Sequence, residues 1–250
     1  MPLPDLSVQL YSVRQPLATD FAGTLSRLGA TGLTRVEPYD MLAVADALAS
    51  ALPAAGLTAP TAHQSLTDGR LDEIFSAASD LGVDLVVHPY TPADRWQSRG
   101  DLERLAEVLA EAAAAAGEHG VRVGYHNHNW ELATQLESRP ALEVFAEMLD
   151  SSVVLEVDAY WAATAGQDVA ALVERLGDRV VAVHLKDGPL NGNTAAQLPL
   201  GKGDLPAADI LAAASALQFP VLEFDDYDGD IFDGIEESYR FATTTLGARR

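Results

Sequence analysis

Val121 to Leu132 reads VRVGYHNHNWEL, and the fold follows from how this stretch is built. Val121 and Val123 alternate with smaller or polar neighbours, the period-two pattern of a strand. The pattern runs out into His126, Asn127, His128, Asn129 and Glu131, a dense polar group at the strand's C-terminal end. Four other apolar runs have the same design. They are VVLEVD ending at Asp158, VVAVHLKD carrying His184, PVLEFDD carrying Glu223, and LVVHPY carrying His88. Core packing does not explain five such ends, so they are expected to meet at one site at the mouth of a parallel barrel.

Around this stretch, strands and helices alternate. Expected strands lie at Leu6–Tyr11, Gly32–Glu37, Leu57–His63, Asp84–His88, 121–126, Val153–Asp158, Val180–Leu185 and Val221–Asp225. Between them fall helical patterns, among them Met41–Ala55, Leu71–Leu81 closed by Gly82, Leu102–Ala116, Val169–Leu176 opened by Asp168, and Ile235–Leu246. Pro38 and Pro89 stop two of the strands. Parallel strands need crossover helices, and eight such units in 250 residues predict a (β/α)₈ TIM barrel forming one domain over residues 1–250. No GxGxxG follows the first strand, which counts against a dinucleotide fold. Barrel active sites lie at the C-terminal strand ends, where the polar residues fall.

Asp158, His184 and Glu223 each end their own strand, and with His126 they form a mixed nitrogen and oxygen set. Such a set suits a divalent ion, Mn²⁺ first, with Zn²⁺, Co²⁺, Fe²⁺ or Mg²⁺ as alternatives. His126 is the expected ligand of the histidine pair and His128 a substrate-facing or supporting group. Glu131 either reaches back over the mouth or serves as a helix N-terminal acid. His63, His88 and Glu37 are expected to line the far side of the mouth, where a polyol needs hydrogen-bond partners. Lys186 shares a face with His184 and either neutralises an enediolate or phosphate or pairs with Asp187 or Asp225. Trp161 and Tyr11 offer an apolar wall for a sugar.

The chain carries 37 acidic and 16 basic residues, a formal charge of −21, which gives no footprint for nucleic acid or anionic membrane. It has no cysteine, which excludes thiolate chemistry. MPLPDLSVQLYSVR lacks the pattern of a signal peptide, and no run reaches the length of a membrane helix, so a cytoplasmic protein is expected. No GxSxG is present to suggest a serine hydrolase.

VQLYSVR, GYHNHNWEL, VDAYWAATAGQD, VHLKDG, LGKGDL and VLEFDD together resemble the sugar phosphate isomerase/epimerase superfamily, the xylose isomerase-like TIM barrels, over almost the whole chain. That superfamily includes D-tagatose 3-epimerase, inosose dehydratase and abasic-site endonucleases. The resemblance implies one metal ligand from each of strands five to eight, here His126, Asp158, His184 and Glu223. One departure stands out: the epimerases use glutamate at the strand-five position, where this chain has His126.

The implied function is a metal-dependent isomerase or epimerase of a sugar, keto-sugar or cyclitol, working through a metal-stabilised enediolate. Glu223, His128 and Glu131 are the candidate bases, with Lys186 supporting the developing charge. A dehydratase on the same site is the alternative. A non-catalytic sugar-binding barrel and an endonuclease come behind it. Homo-oligomerisation is common in such families, but no residue here marks an interface.

Overall fold

The computed structural model describes residues 3–249; Met1, Pro2 and Arg250, which belong to the chain-wide and N-terminal readings above, lie outside the described residues. Eight parallel strands form the central sheet: β1 Ser7–Gln9, β2 Arg35–Glu37, β3 Thr61–His63, β4 Leu85–His88, β5 Arg122–His126, β6 Val153–Asp158, β7 Val180–Leu185 and β8 Phe219–Leu222. Their order is β2-β1-β8-β7-β6-β5-β4-β3. The ring is nearly closed. Between β2 and β3 the seam is held below by the Val36 N–H donating to the Thr58 carbonyl and above by the His63 N–H donating to the Pro38 carbonyl. The chain is thus an eight-stranded α/β barrel, as the alternation predicts.

Helices form where the apolar spacing predicts them, except that the last runs Ile231–Phe241 rather than Ile235–Leu246, because Asp230 caps it upstream, accepting from the Phe232 N–H. Leu71–Leu81 buries Ile74, Phe75 and Ala78 on one stripe and ends at Gly82, whose φ of 72° suits a residue without Cβ. Val169–Leu176 starts at Asp168, whose side chain accepts from the Ala171 N–H. The long helix runs further than expected, Arg99–Glu118, because Ser98 caps it upstream and accepts from the Asp101 N–H. The first three strands are shorter than expected: Leu10–Val13 winds into a 3₁₀ turn after the first, and Thr58 pairs with Arg35 only as an isolated bridge ahead of the third. The last strand begins at Phe219 rather than Val221. β1 pairs only with Val221 and Leu222, so Pro220 lies where β8 has β7 alone as a neighbour, a place that tolerates a missing N–H. Glu223 therefore sits just past the strand.

Strand alternation divides the side chains between two faces. Outward residues such as Val36, Val86, Val123 and Tyr125 join the main core beneath the helices. Inward residues near the strand starts form a separate apolar plug of Leu85, Val87, Val181, Ala182 and Phe219 with Val154 against it. Gly124 makes room for this plug: a Cβ there would meet Leu85 Cδ1 and Val87 Cγ2 at 3.3 Å. Towards the strand ends the same inward face turns charged.

Candidate active site at the C-terminal mouth

Asp158 and His184 are register partners on β6 and β7, and Glu223 follows β8 next door. His184 Nδ1 lies 2.6 Å from Glu223 Oε2. Lys186, two residues past His184 on the same face, puts Nζ 2.9 Å from Asp158 Oδ2, Glu223 Oε2 and Asp225 Oδ1. Asp158 Oδ1 accepts the Trp161 N–H and so caps the helix Ala159–Thr164. Potential ligand atoms of Asp158, His184 and Glu223 lie within 4.8 Å of one another.

One layer deeper, Glu156 occupies the centre of the barrel. Its Oε1 lies 2.6 Å from His63 Nε2, 2.9 Å from His126 Nδ1 and 3.0 Å from His184 Nε2. Glu37 Oε1 stands 2.7 Å from His184 Nε2 and 3.2 Å from His63 Nε2, and accepts from Gln9 Nε2 at 2.9 Å. The sequence reading passed over Glu156. Its signal was present: it is a charge inside the apolar run VVLEVD, two residues before Asp158 and thus on the same face.

The electrostatics follow from burying opposite charges together. Burial alone would raise Glu223, but Lys186 and His184 hold its carboxyl well below the usual range. Asp158 is raised, burial outweighing the pull of Lys186. Burial opposes the charge on Lys186, yet Asp158, Glu223 and Asp225 push it well above an ordinary lysine. His184 and His63 are likewise raised against the burial cost by the surrounding glutamates, whereas burial takes His126 well below the ordinary histidine value. The two central glutamates divide: burial and Glu156 raise Glu37, while Glu156, despite burial, is held low by His184 and His63.

The other predicted residues fall into two groups. Tyr11, His63, His126, His128, Lys186 and Glu223 line a cavity of about 400 Å³ above the ligand sets, together with Tyr39, Asp40, Gln64, Tyr90 and Asp225. Glu37 lies beneath it, fully buried. Trp161 stands beside this group with its ring centroid 5.7 Å from Lys186 Nζ. His128 stacks on Trp130, centroids 4.4 Å apart, and meets Tyr90 edge-on.

Glu131 does not reach over the mouth. It is fully buried, accepting from the Tyr125 hydroxyl through Oε1 and from the His128 N–H through Oε2, both at 2.9 Å. His88 does not line the mouth either. Val87 takes the inward position, and His88 faces out beside Tyr125, accepting the Leu66 N–H at Nδ1. Burial there depresses its pKa to about 4. Asn127 holds the turn after β5, its Oδ1 accepting the Asp158 N–H. A larger hollow of about 670 Å³ among Leu3, Leu211, Leu217 and Leu246 has no titratable lining residue.

Among known proteins, the model of the xylose isomerase-like TIM barrel family matches residues 25–241. The chain belongs to that family. Over 88 residues the barrel is 32% identical to the inosose dehydratase of Mesomycoplasma hyopneumoniae (strain 7448), a match covering 35% of this chain and 28% of that one. The match thus spans less than a third of that relative's length. A sugar phosphate isomerase/epimerase from Parabacteroides distasonis ATCC 8503 superposes with a TM-score of 0.83 at 21% identity, covering 100% of this chain and 96% of that one. The IOLI protein, solved with a zinc atom, superposes at 0.74 and 12% identity, covering 97% and 98%. At such identities the likeness is one of fold. Xylose isomerase-like barrels with named activities are enzymes, isomerases, epimerases and dehydratases among them. Among the described residues no helix is long and apolar enough to cross a membrane.

Proposed function

We propose that this barrel is a divalent-metal-dependent isomerase or epimerase of a small sugar, keto-sugar or cyclitol in the cytoplasm. Its ion is held by Asp158, His184 and Glu223, with His126 at the edge of the set. The observation that carries this reading is the convergence of those three residues within 4.8 Å beneath a sugar-sized cavity. His126 Nε2 stands 3.7 Å from Asp158 Oδ2, close enough to join them. One imidazole and two carboxylates suit Mn²⁺ best, with Zn²⁺, Co²⁺, Fe²⁺ and Mg²⁺ as alternatives. When bound, such an ion supplies Lewis acidity, which makes a C–H beside a carbonyl easier to ionise.

The chain's own residues provide the rest. Lys186, held as an ammonium by three carboxylates, offsets negative charge forming on a substrate oxygen. His128 is the proton carrier: it lines the cavity, its Nδ1 has no hydrogen-bond partner among the described residues, and Glu131 stands 3.9 Å behind that atom. Glu131 then positions His128 through the backbone N–H. Glu223, already shared between His184 and Lys186, serves the ion better than the proton. Tyr11, Tyr39 and Tyr90 give apolar faces for the sugar.

A dehydratase reading has its own support in the local identity with an inosose dehydratase. Both reactions begin by removing the same kind of proton. The test is a panel of ketoses, inososes and 3-keto-glycosides with added Mn²⁺, followed by NMR for exchange with D₂O. Exchange without water loss supports isomerisation, and loss of a β-hydroxyl supports dehydration. No exchange with any member counts against both.

A further inference from the structure

VHLKDG and LGKGDL come together in space, and the loop between them reaches back towards Lys186. Asp187, from the first motif, is buried. Its Oδ1 accepts the Gly188 and Leu205 N–H groups at 2.8 and 3.0 Å, and its Oδ2 accepts the Gly201 N–H at 2.8 Å. Its carbonyl accepts the Leu198 N–H at 2.9 Å. A Cβ at Gly203 would strike Asp187 Oδ1 and the Gly188 nitrogen, so glycine lets the loop close around this carboxylate. The loop is thereby tied to the end of β7.

Next to this anchor, Gln197 is 2% exposed and turns both ends of its amide to one segment. Its Nε2 donates to Asp225 Oδ2 at 2.7 Å, while its Oε1 accepts the Asp225 N–H at 2.8 Å and the Asp226 N–H at 3.4 Å. Asp225 needs such a hold, because it lies past the end of β8 and ahead of the helix Ile231–Phe241. Its other oxygen, Oδ1, accepts from Lys186 Nζ at 2.9 Å. One carboxylate is thus shared between the Gln197 amide and the Lys186 ammonium.

Lys186 takes its direction from its partners, since a lysine is a flexible stem with a rotatable head. Two of the three, Asp158 and Glu223, belong to the ion's ligand set. Asp225 is the partner left to hold the ammonium alone. From this chain of contacts we infer that Gln197 is a positioning residue: by fixing Asp225 it aims the Lys186 ammonium into the mouth. The assignment rests on the reading of Lys186 as the group that offsets charge on the substrate.

The test uses the full chain made with ¹⁵N-labelled lysine. Lys186 and Lys202 are its two lysines, the second half-exposed beside Glu237. At slightly acid pH the buried Lys186 ammonium should give a sharp proton–nitrogen NMR signal, assigned by its loss in Lys186→Met. Gln197→Ala should shift and broaden that signal. It should also lower the saturating rate of D₂O exchange, on the panel compound that exchanges fastest, by roughly 10 to 100-fold with KM near that of wild type. Gln197→Glu keeps the size but sets a carboxylate against Asp225, and it should do the same if the alanine variant fails to fold by circular dichroism. An unmoved signal in either folded variant overturns the positioning role, even where stability falls. A displaced signal with the exchange rate unaltered overturns it too. Full exchange in Lys186→Met removes the reading of Lys186 and this role with it. No exchange by wild type with any compound overturns the proposed function as well.

Discussion

The two ends of the barrel interior are made by one rule and do opposite things. At the base, inward positions carry Leu85, Val87, Val154, Ala182 and Phe219, packed dry around Gly124. At the mouth, the inward face carries Glu37, His63, His126, Glu156, Asp158 and His184, in hydrogen-bond or ion-pair contact, and β6 and β7 contribute to both ends. The base gains free energy from burial. The mouth costs free energy through desolvation, which its mutual pairing only partly offsets. A protein keeps such a layer when the charges have a task, and the base is what makes that layer affordable.

This contrast can be broken. The largest expected effect is at the mouth: Asp158→Ala or His184→Ala should reduce D₂O exchange to background and lower the metal count, while circular dichroism still shows a folded barrel. Retained metal and full exchange in both variants would show that the site is misplaced. Next, His128→Ala should slow exchange by roughly 10² to 10⁴-fold with the metal count unchanged, as expected for a lost proton carrier. A parallel fall in metal would instead make it a ligand.

At the base the signs reverse. Phe219→Ala should destabilise by about 3–5 kcal/mol in urea unfolding, with metal count and exchange per folded molecule unaltered. Loss of metal there would mean that the two ends are coupled.

His88 sharpens the comparison through pH. In the fold it is neutral, with a pKa pushed down to about 4, whereas an unfolded histidine titrates near 6.5. Its contribution is therefore present above pH 6.5 and lost as pH falls towards 4. The loss is on the order of 3 kcal/mol. The unfolding free energy lost between pH 7 and pH 4 should be greater in wild type than in His88→Asn by about that amount. Equal losses would disprove it. The smallest effect is expected from Gly124→Val, which overpacks the plug for about 1–3 kcal/mol.

Alternation of strand and helix was legible in the chain because its causes are local. Leu71–Leu81, Val153–Asp158, Val169–Leu176 and Val180–Leu185 have the bounds their apolar period predicts. Asp158, His184 and Glu223 stood out as polar residues ending apolar runs, and they do lie together. Reading by strand end rather than by face placed His88 at the mouth, although Val87 next to it is the inward residue. The same habit passed over Glu156, a step down the strand from Asp158 on the inward face.

What the sequence by itself determined is the fold and most of the residue types that gather at the mouth, since periodicity and composition act over a few neighbours. Only the tertiary structure decided how far each strand turns and slides against the next, and so which nitrogen meets which carboxylate. That stagger arises from closing the sheet, a constraint shared by all eight strands and visible in none of them alone.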